Sequence, residues 1–89
     1  MKVRNMKNSS GNVVKNQFII TDDRFEYFQS YDSIIVKKNL LAPRVIYLDK
    51  NYWDYSVTTG KYRNIFLGET RAETDHKILT GEYILTDLN

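Results

Sequence analysis

Two stretches of this chain that read as β-strands have no polar face, and that constrains the fold more than any other feature. In Gln17-Phe18-Ile19-Ile20-Thr21 one side carries Phe18 and Ile20, and the other carries Ile19. In Arg44-Val45-Ile46-Tyr47-Leu48-Asp49 one side carries Ile46 and Leu48, and the other Val45 and Tyr47. Side chains alternate across a strand, so a sheet with one wet face reads apolar, polar, apolar. Here both sides read apolar. Either the domain covers both faces itself, or the second face meets a partner or another copy of the chain. Too few residues remain for helices to cover both, so homo-oligomerisation is one expected way to hide the second face.

The 89 residues fit a single domain spanning 1–89. Hydrophobic residues at 42% and aromatic residues at 13% supply the apolar area of a folded chain. Cysteine is absent, which removes disulfides, thiolate nucleophiles and cysteine zinc sites together. No stretch approaches the ~20 apolar residues of a membrane span. The segment Met1–Lys7 has charge with no apolar run behind it, unlike a signal peptide. The cytoplasm is the expected compartment, with no membrane partner.

The turn chemistry of Asn8-Ser9-Ser10-Gly11-Asn12 separates a first strand (about Lys2 to Met6) from a second (Asn16 to Thr21). Asp22-Asp23 joins the second to Arg24–Ser30, and Tyr31-Asp32 leads into Ser33–Lys38. A longer loop holding Pro43 precedes the strand from Arg44 to Asp49. The period then changes. Ser56 can cap a helix whose stripe is Thr58, Tyr62, Ile65 and Phe66, with Gly68 as its stop. Thr70-Arg71-Ala72-Glu73 has the form of a capping box, opening a second helix that runs to Thr80. Glu82–Thr86 reads as a final strand. The expected class is α+β: an antiparallel sheet of five to six strands with two short helices toward the C-terminus.

No catalytic constellation emerges. His76 is the only histidine, and its neighbours Asp75 and Lys77 point to other sides of a helix. Asp22, Asp23 and Glu26 read as turn chemistry before a cation site, and Thr58-Thr59-Gly60-Lys61 lacks the earlier glycine of a phosphate loop. Neither a metal nor a cofactor is expected. Net charge is +2, yet residues 1–21 hold Lys2, Arg4, Lys7 and Lys15 without one acid. That basic segment is either a solvated sheet edge or a phosphate-binding strip. Tyr52, Trp53, Tyr55, Lys61, Tyr62 and Arg63 form the richest constellation. Such rings and cations close a core, anchor a protein interface, or stack nucleic-acid bases.

Arg4-Asn5-Met6-Lys7-Asn8 with Gly11-Asn12, Asn16-Gln17-Phe18, Phe28-Gln29-Ser30-Tyr31, Trp53-Asp54-Tyr55-Ser56, Thr58-Thr59-Gly60-Lys61-Tyr62 and Phe66-Leu67 carry a resemblance. With these strings the chain resembles a family of small, largely uncharacterised proteins encoded by phages and prophages. The resemblance implies a non-enzymatic protein in the host cytoplasm that binds a host protein or protein–nucleic-acid complex, such as a CRISPR–Cas nuclease, and inhibits it. Direct nucleic-acid binding and sequestration of a nucleotide signal are the alternative expectations.

Overall fold

The turn at Asn8–Asn12 folds the chain back on itself, joining β1 (Lys2–Lys7) to β2 (Val13–Thr21) in a computed structural model that describes residues 1–89. Three further strands follow as a meander: β3 (Phe25–Ser30), β4 (Ser33–Asn39) and β5 (Ile46–Asp49). Two helices, α1 (Val57–Leu67) and α2 (Arg71–Leu79), then carry the chain to β6 (Tyr83–Thr86). The strands form one sheet in sequence order, β1 to β6. The first five pair antiparallel, whereas β6 lies parallel to β5. A helical crossover returns the chain to the end where β5 began, which is how parallel neighbours are joined. The expected α+β class holds, with a mixed sheet.

Local chemistry explains most boundaries. Asp22 Oδ1 accepts the N–H groups of Arg24 (2.9 Å) and Phe25 (2.8 Å), which closes the β2–β3 turn. Strand β2 begins three residues earlier than expected, because Asn16 stays in the strand at φ 65°. Asparagine tolerates that left-handed backbone better than most residues. Strand β5 begins later than expected, at Ile46, because the Val45 N–H turns back to the Pro43 carbonyl at 2.9 Å. Ser56 caps α1 by accepting the Thr59 N–H, and Gly68 ends it at φ 70°. Both bonds of the Thr70/Glu73 capping box are present on α2.

Both helices lie on one face of the sheet. That face carries a row crossing all six strands: Arg4, Ile19, Phe28, Val36, Leu48 and Leu85. Phe28, Val36 and Leu48 at its centre are fully buried. Phe28 stacks on Phe66 of α1 with ring centroids 5.8 Å apart, and the Ser30 hydroxyl meets that of Thr59 at 2.8 Å. The buried stripe of α1 is Thr59, Tyr62, Arg63 and Phe66. Of the expected stripe, Tyr62 and Phe66 are buried, whereas Thr58 and Ile65 face water, Ile65 at 52% exposure. The helix is therefore rotated about one position from its apolar reading, since Thr59 and Arg63 find polar partners inside.

Glu69, between the helices, accepts hydrogen bonds from Thr74 Oγ1 (2.6 Å), Lys77 Nζ (2.8 Å) and the Tyr83 hydroxyl (2.8 Å). Burial pushes the Glu69 carboxyl up, but these bonds, led by that of Lys77, outweigh it and hold the carboxyl below its usual 4.5. The Tyr83 hydroxyl, desolvated and held by Glu69, is pushed up to about 12. A depressed carboxyl contributes stability that is present above its unfolded value and lost as pH falls through the folded one. Glu69→Gln is therefore expected to cost about 1–3 kcal/mol at pH 7. The gap from wild type should close as pH drops below 4.5, read from urea midpoints across pH.

Candidate functional site

The opposite face of the sheet also carries a row that crosses all six strands: Val3, Ile20, Tyr27, Lys37, Tyr47 and Ile84. Its composition follows directly from the two-sided apolar strands, because residues next to those of the buried row must point the other way. No helix lies over it. None of these six residues belongs to the core cluster or to the side chains packed against it. The four central residues are half-buried, while Val3 (61%) and Ile84 (42%) at the ends are exposed. Phe18 and Ile34 on one side and Phe25 on the other widen the apolar area.

Lys37, half-buried, is the one charged residue of this row; its ammonium sits 4.2 Å from the Phe25 ring centroid and 5.9 Å from that of Tyr47. Phe25 and Tyr27 tilt against each other at 6.1 Å. Burial, with the nearby Asp22 carboxylate, pushes the Tyr27 hydroxyl above its ordinary 10.0, so it stays a neutral donor. A shallow depression of about 390 Å³ opens here, lined by Phe25, Lys37, Tyr47, Asp87 and Leu88 among others. Aromatic rings, aliphatic side chains and a cation held over rings are residue types that protein interfaces use as anchors.

The C-terminal residues border the face. Asp49, fully buried, accepts the N–H groups of Asn51 (3.0 Å) and Tyr52 (2.9 Å) on Oδ2. Its Oδ1 accepts the Leu88 N–H (2.8 Å) and the Asn89 side-chain amide (3.1 Å). Asn89 also bonds both backbone groups of Ile34, extending the edge of β4 where β5 has turned away.

The structure divides the aromatic and basic constellation expected to bind a partner. Tyr62 (5% exposed) and Arg63 (1%) lie inside and build the scaffold, which corrects their expected role. Arg63 Nη1 donates to the Trp53 carbonyl (2.7 Å) and to Asp54 (2.8 Å), and Nη2 donates to Asn64 (2.9 Å). Trp53 is half-buried against the core, its ring 5.1 Å from the Arg63 guanidinium and 5.9 Å from that of Arg71. Tyr52 and Tyr55 meet edge to face at 5.5 Å on an exposed rim, and Lys61 is exposed beside them in sequence on α1. Lys2, Arg4, Lys7 and Lys15 are all exposed along the β1–β2 hairpin. His76 is exposed on α2.

Sequence reasoning read the surplus of apolar side chains but not the row that crosses all six strands. Tyr27, Lys37 and Ile84 become neighbours only through register, which no local signal in their strands reveals. The profile of the Family of unknown function (DUF8033) matches residues 1–82. No curated protein matches the chain, and no solved structure does.

Proposed function

The chain belongs to the Family of unknown function (DUF8033), and we propose that it is a non-catalytic binding protein that docks its uncovered sheet face on another protein. The observation that carries this reading is the six-strand row from Val3 to Ile84, apolar but for Lys37 and left without a covering element. Monomeric proteins seldom leave a contiguous apolar area of this kind in water unless something binds it. The exposed Tyr52, Tyr55 and Lys61 rim supports a second, smaller contact.

The resemblance to small phage and prophage proteins supports a host-directed role: obstruction of a defence nuclease complex such as CRISPR–Cas. Matched baits test the reading. Wild type and Ile20→Glu are immobilised, exposed to host lysate and compared, alongside a defence-interference assay. Ile20 lies in the row but outside the core, so the variant should fold normally. It should lose the bound protein and the interference that wild type shows. Equal capture by both baits, or capture by neither, counts against the reading.

A second reading rests on the β1–β2 hairpin, where four exposed cations lie in a segment without an acid. Phosphate binding there would give gel shifts whose affinity falls steeply with salt. No shift at low salt removes it.

A further inference from the structure

The two edges of the sheet are built differently, and we propose that the outer edge of β6 takes an extended strand of another protein, with two adjacent apolar residues between basic ends. The inference goes beyond the docking of the uncovered face, because the backbone of a single strand carries it.

Strand β1 closes one side of the sheet with Lys2, Arg4 and Lys7, all exposed. Cations along an edge keep other strands away. Strand β6 closes the opposite side with β5 as its one neighbour, and its residues Tyr83–Thr86 carry no charge. Ile84 points to the uncovered face and Leu85 to the helix side. They are 42% and 41% exposed, so both sides of this edge are apolar and open to water.

The ladder shows which backbone groups are left over. The Thr86 carbonyl accepts the Lys50 N–H at 2.8 Å, which continues the pairing of β6 with β5. Peptide groups alternate sides along a strand, so Ile84 and Thr86 bond inward while Leu85 turns its N–H and C=O outward. Beyond Asp87 the chain turns back toward β5 and β4, where Leu88 and Asn89 meet Asp49 and Ile34. It does not run along the outer edge. Leu85 thus offers a donor and an acceptor to an incoming strand, the mode in which main-chain bonds supply affinity and side chains set specificity.

Side chains define the occupant. Neighbours in a strand point to opposite faces, so one apolar residue of the added strand covers Ile84 and the next covers Leu85. Glu82 and Asp87, both exposed, flank β6 at its two ends. Glu82 has one long ion pair, to Lys77 at 3.7 Å, and Asp87 enters none. A strand with lysine or arginine at each end answers both acids. A second copy of β6 answers neither. Pairing two β6 edges about a twofold at Ile84–Leu85 sets Glu82 opposite Asp87, like charges across the ladder. So short a strand makes few backbone bonds, which fits a Kd on the order of 10 μM or weaker.

Selection of a random dodecapeptide library on the immobilised chain tests the proposal. Enriched sequences should hold two adjacent apolar residues between basic ones. A synthetic copy of one should slow hydrogen exchange at the Leu85 amide and bind Leu85→Pro at least ~10-fold more weakly. Proline removes only the outward donor, so the urea midpoint should stay near that of wild type. Glu82→Lys with Asp87→Lys should weaken binding ~10-fold as well, and carries the test should the proline variant unfold. Ile20→Glu should bind the peptide as wild type does; loss there would place the peptide on the uncovered face and overturn the edge. Peptides without the pattern, unchanged exchange at Leu85, or equal affinity for wild type and the charge-reversed variant each overturn the proposal. Self-association of wild type that Leu85→Pro abolishes would give the edge to a second copy, which overturns it too.

Discussion

Arg63→Ala is expected to lower the unfolding free energy by about 3–5 kcal/mol, enough to leave a domain of roughly 5–15 kcal/mol stability close to unfolding. The guanidinium is 1% exposed and donates to the Trp53 carbonyl, to Asp54 and to Asn64. Alanine removes the donors, leaves the Trp53 carbonyl without its partner and opens a cavity beneath the Trp53 ring. Asp54 keeps its second ion pair, to Arg71 at 2.9 Å, so it is not stranded, which bounds the loss. Arg63→Met keeps the aliphatic volume and should recover part of the cost. Urea denaturation followed by tryptophan fluorescence reads both variants, since Trp53 is the only tryptophan. An Arg63→Ala midpoint equal to wild type would return Arg63 to the list of surface anchors.

Asp49→Ala should cost about 3 kcal/mol, because four part-buried donors lose the buried carboxylate that accepts from all of them. Two of these donors turn the chain after β5, and two fasten Leu88 and Asn89. Asp49→Asn should cost nearly as much, because its NH₂ would face donors where the carboxylate offered lone pairs. Burial pushes the Asp49 carboxyl up, but the bonds from Leu88, Asn89, Asn51 and Tyr52 outweigh it and hold the group below its usual 3.8. Its stabilisation is present above that value and fades as pH falls through the folded one. The Asp49 variants should therefore differ most from wild type at neutral pH and least in acid. A wild-type midpoint for Asp49→Ala at pH 7 would contradict this account of the β5 terminus.

Local chemistry made much of the fold legible in the sequence. Ser56, Gly68 and the Thr70/Glu73 pair each act on the backbone within a few residues, so their caps appear where the chain places them. The Asp22-Asp23 turn and the strands on either side follow the same logic. What local chemistry does not carry is partnership across the fold. Arg63 reads as surface because nothing in its neighbourhood announces that Trp53 and Asp54 will enclose it. The α1 stripe shifts for the same reason: Thr59 is acceptable inside only because Ser30 meets its hydroxyl.

The uncovered face illustrates both halves of this. Apolar residues at consecutive positions in β2 and β5 put apolar side chains on both faces of the sheet, and that much needed no structure. Which side the helices take was set elsewhere, by Phe66 meeting Phe28 and Tyr83 meeting Glu69. Those contacts leave Ile20, Tyr27, Lys37 and Tyr47 on the outside.

Site-specific photo-crosslinking in producing cells tests that claim most directly. A benzophenone side chain placed at Tyr27, in the uncovered row, should form a defined protein adduct, whether with a second copy or with another protein. The same group at Leu79, 85% exposed on α2, should form none. Adducts at Leu79 but not at Tyr27, with both variants folded, would mean that the protein makes its contacts elsewhere.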